Sequence, residues 1–238
     1  MTPFTLPTDY PRVRRVHSFA ELAGTPFHSG VNALCWERTL PGDYAEVAVA
    51  LGDGDGEPIM ALDAERLRAL RLSPAGRLAV EQMLADWQLL RDRALDPALN
   101  CIYGYPCDED PGVVATDVFS FHADSAPIEA TTYLCTYYGP PSEGLRHEDS
   151  CKRIDLPETR EALLAAFGGG EGAGFREYLA EHFYDLHYAP KSGAQPFSFG
   201  LFNLWRIATD YPDSPVPPCV HRAPLTQSGD SPRLLLIS

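Results

Sequence analysis

The chain has 238 residues, of which 45% are hydrophobic, 11% aromatic and 22% charged; these globular values exclude wholesale disorder, a fibrous repeat and a disulfide-held miniprotein. Nineteen basic against 33 acidic residues give a net charge of −14, which repels phosphate backbones and anionic bilayers and argues against nucleic-acid and membrane partners. The 22 prolines exceed the usual share of roughly 5% and favour a loop-decorated, β-containing fold over a helical bundle.

The opening MTPFTLPTDYPRVRR lacks the apolar stretch of a secretory signal, and no window approaches the ~18 apolar residues of a membrane span, so a cytosolic setting is expected. Residues 1–29 read as an arm, with Arg12, Arg14 and Arg15 in a solvated segment, and residues 30–238 as a single domain. VNALCWERTL (31–40) predicts a strand, ended by the turn signal Pro41-Gly42-Asp43. LGDGDGEP (51–58) is expected to be a surface turn, since its aspartates repel phosphate and no lysine follows. Leucines and alanines then recur at helical spacing, predicting helices over 63–71 and 74–94, with Ser73-Pro74 able to cap and open the second.

The six cysteines include no CxxC pair, so reduced, packed thiols are expected; Cys101 and Cys107, bracketing CIYGYPC, are the pair that could meet. An acidic turn at 108–112 precedes two β-rich stretches, 113–124 and 130–139. Helices are predicted over 158–167, stopped by three glycines, and over 175–187. Strand character returns at 197–207 and 233–238. The order is that of an α+β fold, a β core with supporting helices.

One constellation can carry chemistry. His122 and Asp124 stand two apart on a predicted strand, where alternate side chains share a face, so imidazole and carboxylate can converge on a metal. His221, 97 residues beyond Asp124, can supply a third ligand. Two histidines and one carboxylate on one face of an ion leave positions open for a bidentate co-substrate and dioxygen. Arg233, 12 residues after His221, opens the last strand, where its planar fork can pair with the distal carboxylate of 2-oxoglutarate. Elsewhere, His147 with Glu148 and Asp149 reads as a solvated loop, since consecutive residues point in different directions. His182 and His187 miss the spacing of a helical zinc pair and read as structural, and Trp36, Trp87 and Trp205 read as core. No GxSxG, GxxxxGK[ST] or GxGxxG motif occurs.

An HxD, a distal His and a following Arg in this order resemble the Fe(II)/2-oxoglutarate-dependent oxygenase superfamily. VNALCWERTL, TYLCTYYGPPSEGL and VHRAP also look similar to an uncharacterised bacterial family of domains of unknown function, over residues 31–238. The resemblance implies a double-stranded β-helix core, jelly-roll and cupin-like, in which His122, Asp124 and His221 hold Fe(II). It further implies 2-oxoglutarate as co-substrate, with Arg233 as its anchor; Tyr133, on the strand after the HxD, is a candidate second donor, with sheet packing as its other reading. With a carboxylate in the triad the activity implied is hydroxylation or desaturation, and a small amino-acid-like or amine-bearing metabolite is expected over a peptide because the sequence offers no long binding module. Many members of the superfamily carry Ser or Thr two residues after the Arg; here that position is Leu235. The same residues also suit a cupin-type metalloenzyme that does not use 2-oxoglutarate, or a non-enzymatic binding or scaffold protein.

Overall fold

Short polar caps set the helices. Ser18, Asp43, Asp63 and Ser73 each accept a hydrogen bond from the backbone N–H three residues on, satisfying a donor that the first turn leaves open. They start α1 (Phe19–Gly24), α2 (Tyr44–Ala50), α3 (Ala64–Ala69) and α4 (Pro74–Arg91), the last with Pro74 in its first turn. Pro157 opens α5 (Pro157–Phe167), which Gly168 ends in a left-handed conformation, and α6 covers Ala173–Glu181. The computed structural model describes residues 6, 7, 9–106, 112–226 and 230–238; Cys107 and most of the expected acidic turn lie outside them.

The strands are β1 (Val13–Val16), β2 (Ala33–Trp36), β3 (Ile59–Leu62), β4 (Ala98–Ile102), β5 (Thr131–Tyr138) and β6 (Glu143–Gly144). They continue with β7 (Ser150–Lys152), β8 (Tyr188–Pro190), β9 (Phe197–Ser198), β10 (Leu204–Ala208), β11 (His221–Arg222) and β12 (Arg233–Ile237). Seven form one sheet in the order β1-β2-β10-β5-β12-β4-β3, parallel only between β1 and β2. A smaller sheet runs β11-β6-β9, and β7 pairs with β8. The architecture is α+β.

Strand alternation divides the large sheet into two chemically distinct faces. Leu34, Tyr133, Cys135, Tyr137, Leu204, Leu234 and Leu236 form one buried cluster with Val47 of α2 and Ala79, Met83 and Leu90 of α4. Ala33, Cys35, Leu134, Trp205 and Ile207 point the other way, into a second cluster with Phe199, Cys219 and Leu6. Both faces of β5 are thus covered, and its interior residues are all buried. Each fully buried leucine contributes roughly 1.5–3 kcal/mol.

The structure adds α2, β3 and β4, which the sequence reading did not foresee, and departs from that reading at further points. The stretch 113–124 forms no strand: it runs through turns, and only His122 makes ladder pairs. The expected strand at 197–207 is broken into β9 and β10 by a bend in which Gly200 and Phe202 take positive φ. The helix expected to reach 187 stops at Glu181, with Phe183 at φ 58° beginning a short 3-10 turn. The segment read as an arm supplies β1 and α1, with Leu22 fully buried. The segment 51–58 is a turn with one 3-10 element, as its glycines suggest. Among the described residues no helix is long and apolar enough to cross a membrane.

Candidate metal centre

Backbone pairing brings the distant histidines together. The His122 N–H donates to the His221 carbonyl and the His221 N–H to the His122 carbonyl, each at 2.9 Å. Such a doubly bonded antiparallel pair places both side chains on one face about 5.5 Å apart at Cα, and the imidazole centroids lie 4.7 Å apart. His221 is itself fastened from behind. Asn32 Nδ2 donates to the carbonyls of Pro217 and Pro218, both at 3.1 Å, and the Cys219 N–H donates to Ala208 at 2.9 Å. On its other side His221 pairs with Gly144. Any side chain at Gly144 would collide with the rings of Phe197 and Phe199, which pack there.

The imidazoles are oriented for ligation. His122 Nδ1 is 2.8 Å from the Ser120 carbonyl and His221 Nδ1 is 3.2 Å from that of Cys219. A carbonyl can only accept, so each Nδ1 carries the proton and each Nε2 keeps a lone pair. Both lone pairs face Asp124: His122 Nε2 lies 4.0 Å from Oδ1 and His221 Nε2 lies 3.8 Å from Oδ2. The Thr132 hydroxyl on β5 donates to Asp124 Oδ2 at 2.5 Å, and the Asp210 N–H donates to the Asp124 carbonyl at 2.7 Å, so carboxylate and backbone are both held.

All three ligand atoms fall within 4.8 Å of one another. An ion with bonds of about 2.1 Å needs donors roughly 3–3.5 Å apart, which small side-chain rotations supply. Burial, then the neighbouring His221, pushes His122 down to about 4, so it is neutral and ready to ligate at pH 7. Burial opposes the charge on Asp124, but the two histidines and the Thr132 hydroxyl outweigh it and hold the carboxyl below its usual range. The donor set therefore fits a divalent cation: two neutral nitrogens, one carboxylate, and the oriented outer hydrogen bonds such sites require.

Arg233 sits on the same side of the large sheet. It is 2% exposed, and its guanidinium donates to the Tyr105 hydroxyl at 2.7 Å, to Ser142 Oγ at 3.0 Å and to Thr136 Oγ1 at 3.5 Å. Among the described residues its Nε has no hydrogen-bond partner and no carboxylate forms an ion pair with it, although Asp230 lines the same small hollow. Burial lowers the affinity of this guanidinium for its proton, with Tyr105 opposing. Ser142 lies two residues from Gly144, the partner of His221, or about 7 Å along a strand. Gly139, at φ 80° and packed on the Pro232 carbonyl, makes the tight turn that delivers Ser142 to this place.

Tyr133 is not brought to these residues. Alternation on β5 turns Thr132, Leu134 and Thr136 toward the triad and Tyr133, Cys135 and Tyr137 into the helix-packed core. Thr132, Thr136, Ser142 and Tyr105 are the contributors that sequence reasoning missed. The alternation of TTYLCTYY was the available signal, because two threonines on one face of a buried strand need hydrogen-bond partners there. His147 is half-buried, with its N–H on the Tyr10 hydroxyl at 2.9 Å, and stands apart from the centre. Of the tryptophans, Trp205 is fully buried, while Trp36 and Trp87 pack at the edge of the core. Comparison with protein-family models, curated proteins and solved structures returned no match.

Proposed function

We propose that the chain is a non-haem Fe(II)/2-oxoglutarate-dependent oxygenase built on a double-stranded β-helix and hydroxylating a small amine-bearing or amino-acid-like metabolite in the cytosol. The observation that carries this reading is the convergence of two Nε2 lone pairs and one carboxylate on the sheet face that also buries Arg233, which no carboxylate pairs among the described residues. The small sheet β11-β6-β9, adjoining the triad-bearing face of the large sheet, supports the jelly-roll assignment. The free thiols of Cys35, Cys101, Cys135, Cys151 and Cys219 suit a reducing compartment.

His122, Asp124 and His221 would hold the metal on one face, and Fe(II) with 2-oxoglutarate supplies there the activation of dioxygen that oxidises a C–H bond while the co-substrate becomes succinate and CO2. Thr132 fixes the carboxylate's orientation. Arg233 receives the distal carboxylate of the co-substrate. Tyr105, Ser142 and Thr136 accept from its guanidinium, and the Ser142 and Thr136 hydroxyls can turn their O–H groups to an anion bound there. Ser142 and Thr136 thereby do the work of the hydroxyl absent at Leu235.

Anaerobic titration with Fe(II) and then 2-oxoglutarate tests the reading. We expect a weak visible charge-transfer band that needs both components and vanishes in His221→Ala. Metal uptake with no response to 2-oxoglutarate would leave a cupin-type metalloenzyme, and no uptake by folded protein would leave a binding or scaffold protein.

A further inference from the structure

A third histidine extends the row. The Ala123 N–H donates to the Leu186 carbonyl at 3.0 Å and the Tyr188 N–H to that of Phe121 at 2.8 Å, so His187 and His122 face each other across neighbouring segments, with ring centroids 5.8 Å apart. His187 Nδ1 is 2.9 Å from the Phe183 carbonyl, which fixes the proton on Nδ1 and leaves Nε2 as an acceptor. The residue is 5% exposed; among the described residues Nε2 has no hydrogen-bond partner, and the Thr116 backbone, Asp117 and Arg153 are the neighbours that act on the ring. An unpaired buried acceptor costs about 1–3 kcal/mol unless a donor arrives.

His187 and His122 both line a cleft of about 240 Å3 that also contains Asp117 and Phe183. A second hollow of about 460 Å3 adjoins it, sharing Ser125, Phe183 and Leu186 and adding Asp185 and Asp210. No described lysine or arginine lines either one, and the nearest ammonium, that of Lys152, stands 3.9 Å from Asp210 Oδ2, which leaves Asp117 and Asp185 as the carboxylates open to a ligand. Asp117 spends one oxygen on the N–H groups of Phe119 and Ser120, both at 3.0 Å; among the described residues its other oxygen and the Asp185 carboxylate have no hydrogen-bond or ion-pair partner. Phe183 is 58% exposed although its ring lines both hollows.

Resting on the metal-centre reading above, we infer that this cleft is the substrate site and that it takes an organic cation bearing N–H donors, a primary amine or guanidine. The lone pair of His187 and the carboxylates of Asp117 and Asp185 would be its acceptors, and the Phe183 ring its apolar wall. An ammonium or guanidinium satisfies each of these groups at once, by hydrogen bonding, by charge and by attraction to an aromatic face. A carboxylate satisfies none and meets like charge. The His122 side of the cleft then sets the chain of the cation next to the metal.

Saturation-transfer NMR on the full chain, with agmatine, adipate and 1,6-hexanediol as cationic, anionic and neutral probes of similar length, decides the matter. We expect agmatine to bind and the other two to be at least tenfold weaker. The Asp117→Asn/Asp185→Asn double variant should bind agmatine at least tenfold less, and His187→Gln, which keeps an acceptor, should retain more affinity than His187→Phe; melting curves confirm that each is folded. Equal binding of adipate, or undiminished agmatine binding by the folded double variant, overturns the assignment. Should a variant not fold, the ranking of the three probes on the unaltered chain decides alone. Co(II) uptake by the unaltered chain is read separately: agmatine selectivity without cobalt uptake would refute the metal centre and keep the amine site, and cobalt uptake without agmatine selectivity would do the reverse.

Discussion

Each face of the seven-stranded sheet buries an arginine, and the two are treated in opposite ways. On the helix-packed face, Arg38 donates to both oxygens of Asp86 on α4, at 2.6 and 2.8 Å, and to the Phe202 carbonyl at 2.9 Å. Tyr137 donates to the same carboxylate at 2.7 Å, and Arg38 also lies over the Trp36 ring. Charge is neutralised and donors are spent, so this network ties α4 to β5 and has no capacity left for a ligand. On the other face Arg233 keeps its charge against three hydroxyls, and among the described residues one of its N–H groups has no partner. Taking an unpaired cation from water is costly, and a fold that tolerates the cost retains affinity for an anion. The triad repeats the pattern, with two lone pairs and a carboxylate turned toward one another.

The contrast breaks most readily at its structural end. Asp86→Ala strands a buried guanidinium, and urea unfolding should show a loss of about 3–5 kcal/mol; a loss below 1 kcal/mol would mean that Arg38 is not confined by its partner. Next in size is the acid response of the metal-free protein. With His122 near 4 in the fold and about 6.5 when unfolded, protons bind the unfolded chain first, so stability should fall by up to about 3 kcal/mol between pH 6.5 and 4. Asp124, held below its ordinary value, adds a loss in the same direction at still lower pH. A His122→Gln variant should flatten the slope between pH 6.5 and 4, and a denaturation series across pH reads it directly.

Arg233→Met sharpens the comparison from the other side. Removing a buried cation that no described carboxylate pairs should leave the melting temperature unchanged or raised, whereas 2-oxoglutarate binding, followed calorimetrically with Mn(II), should weaken roughly 10- to 150-fold for one charged hydrogen-bonded contact. A marked drop in stability with intact binding would make Arg233 structural, like Arg38. The smallest expected effect is that of Thr132→Val, which removes the hydroxyl orienting Asp124 and should weaken Co(II) binding about 10- to 100-fold while leaving its stoichiometry unchanged.

Local chemistry made part of this legible from sequence. Ser73-Pro74 marks its helix start because a cap and a proline act within one turn, and TTYLCTYY reads as a strand because β-branched and aromatic residues recur without a breaker. The stretch 113–124 misled for the same reason: its β-prone residues lack a continuous partner, and only His122 finds ladder contacts. Tyr133 misled because a phenol is a plausible donor on either face of a strand, and parity alone decides which face it takes.

The sequence by itself determined the acidic charge, the starts of α3, α4 and α5, the last strand and the residue types able to hold a metal, since composition, caps and short-range spacing are local properties. Tertiary structure alone decided that His221 pairs with His122 across nearly a hundred residues, that Thr136, Ser142 and Tyr105 gather around Arg233, and that His187 joins the row. Those juxtapositions depend on register between strands far apart in the chain, and a one-residue slip would turn every one of these side chains to the opposite face.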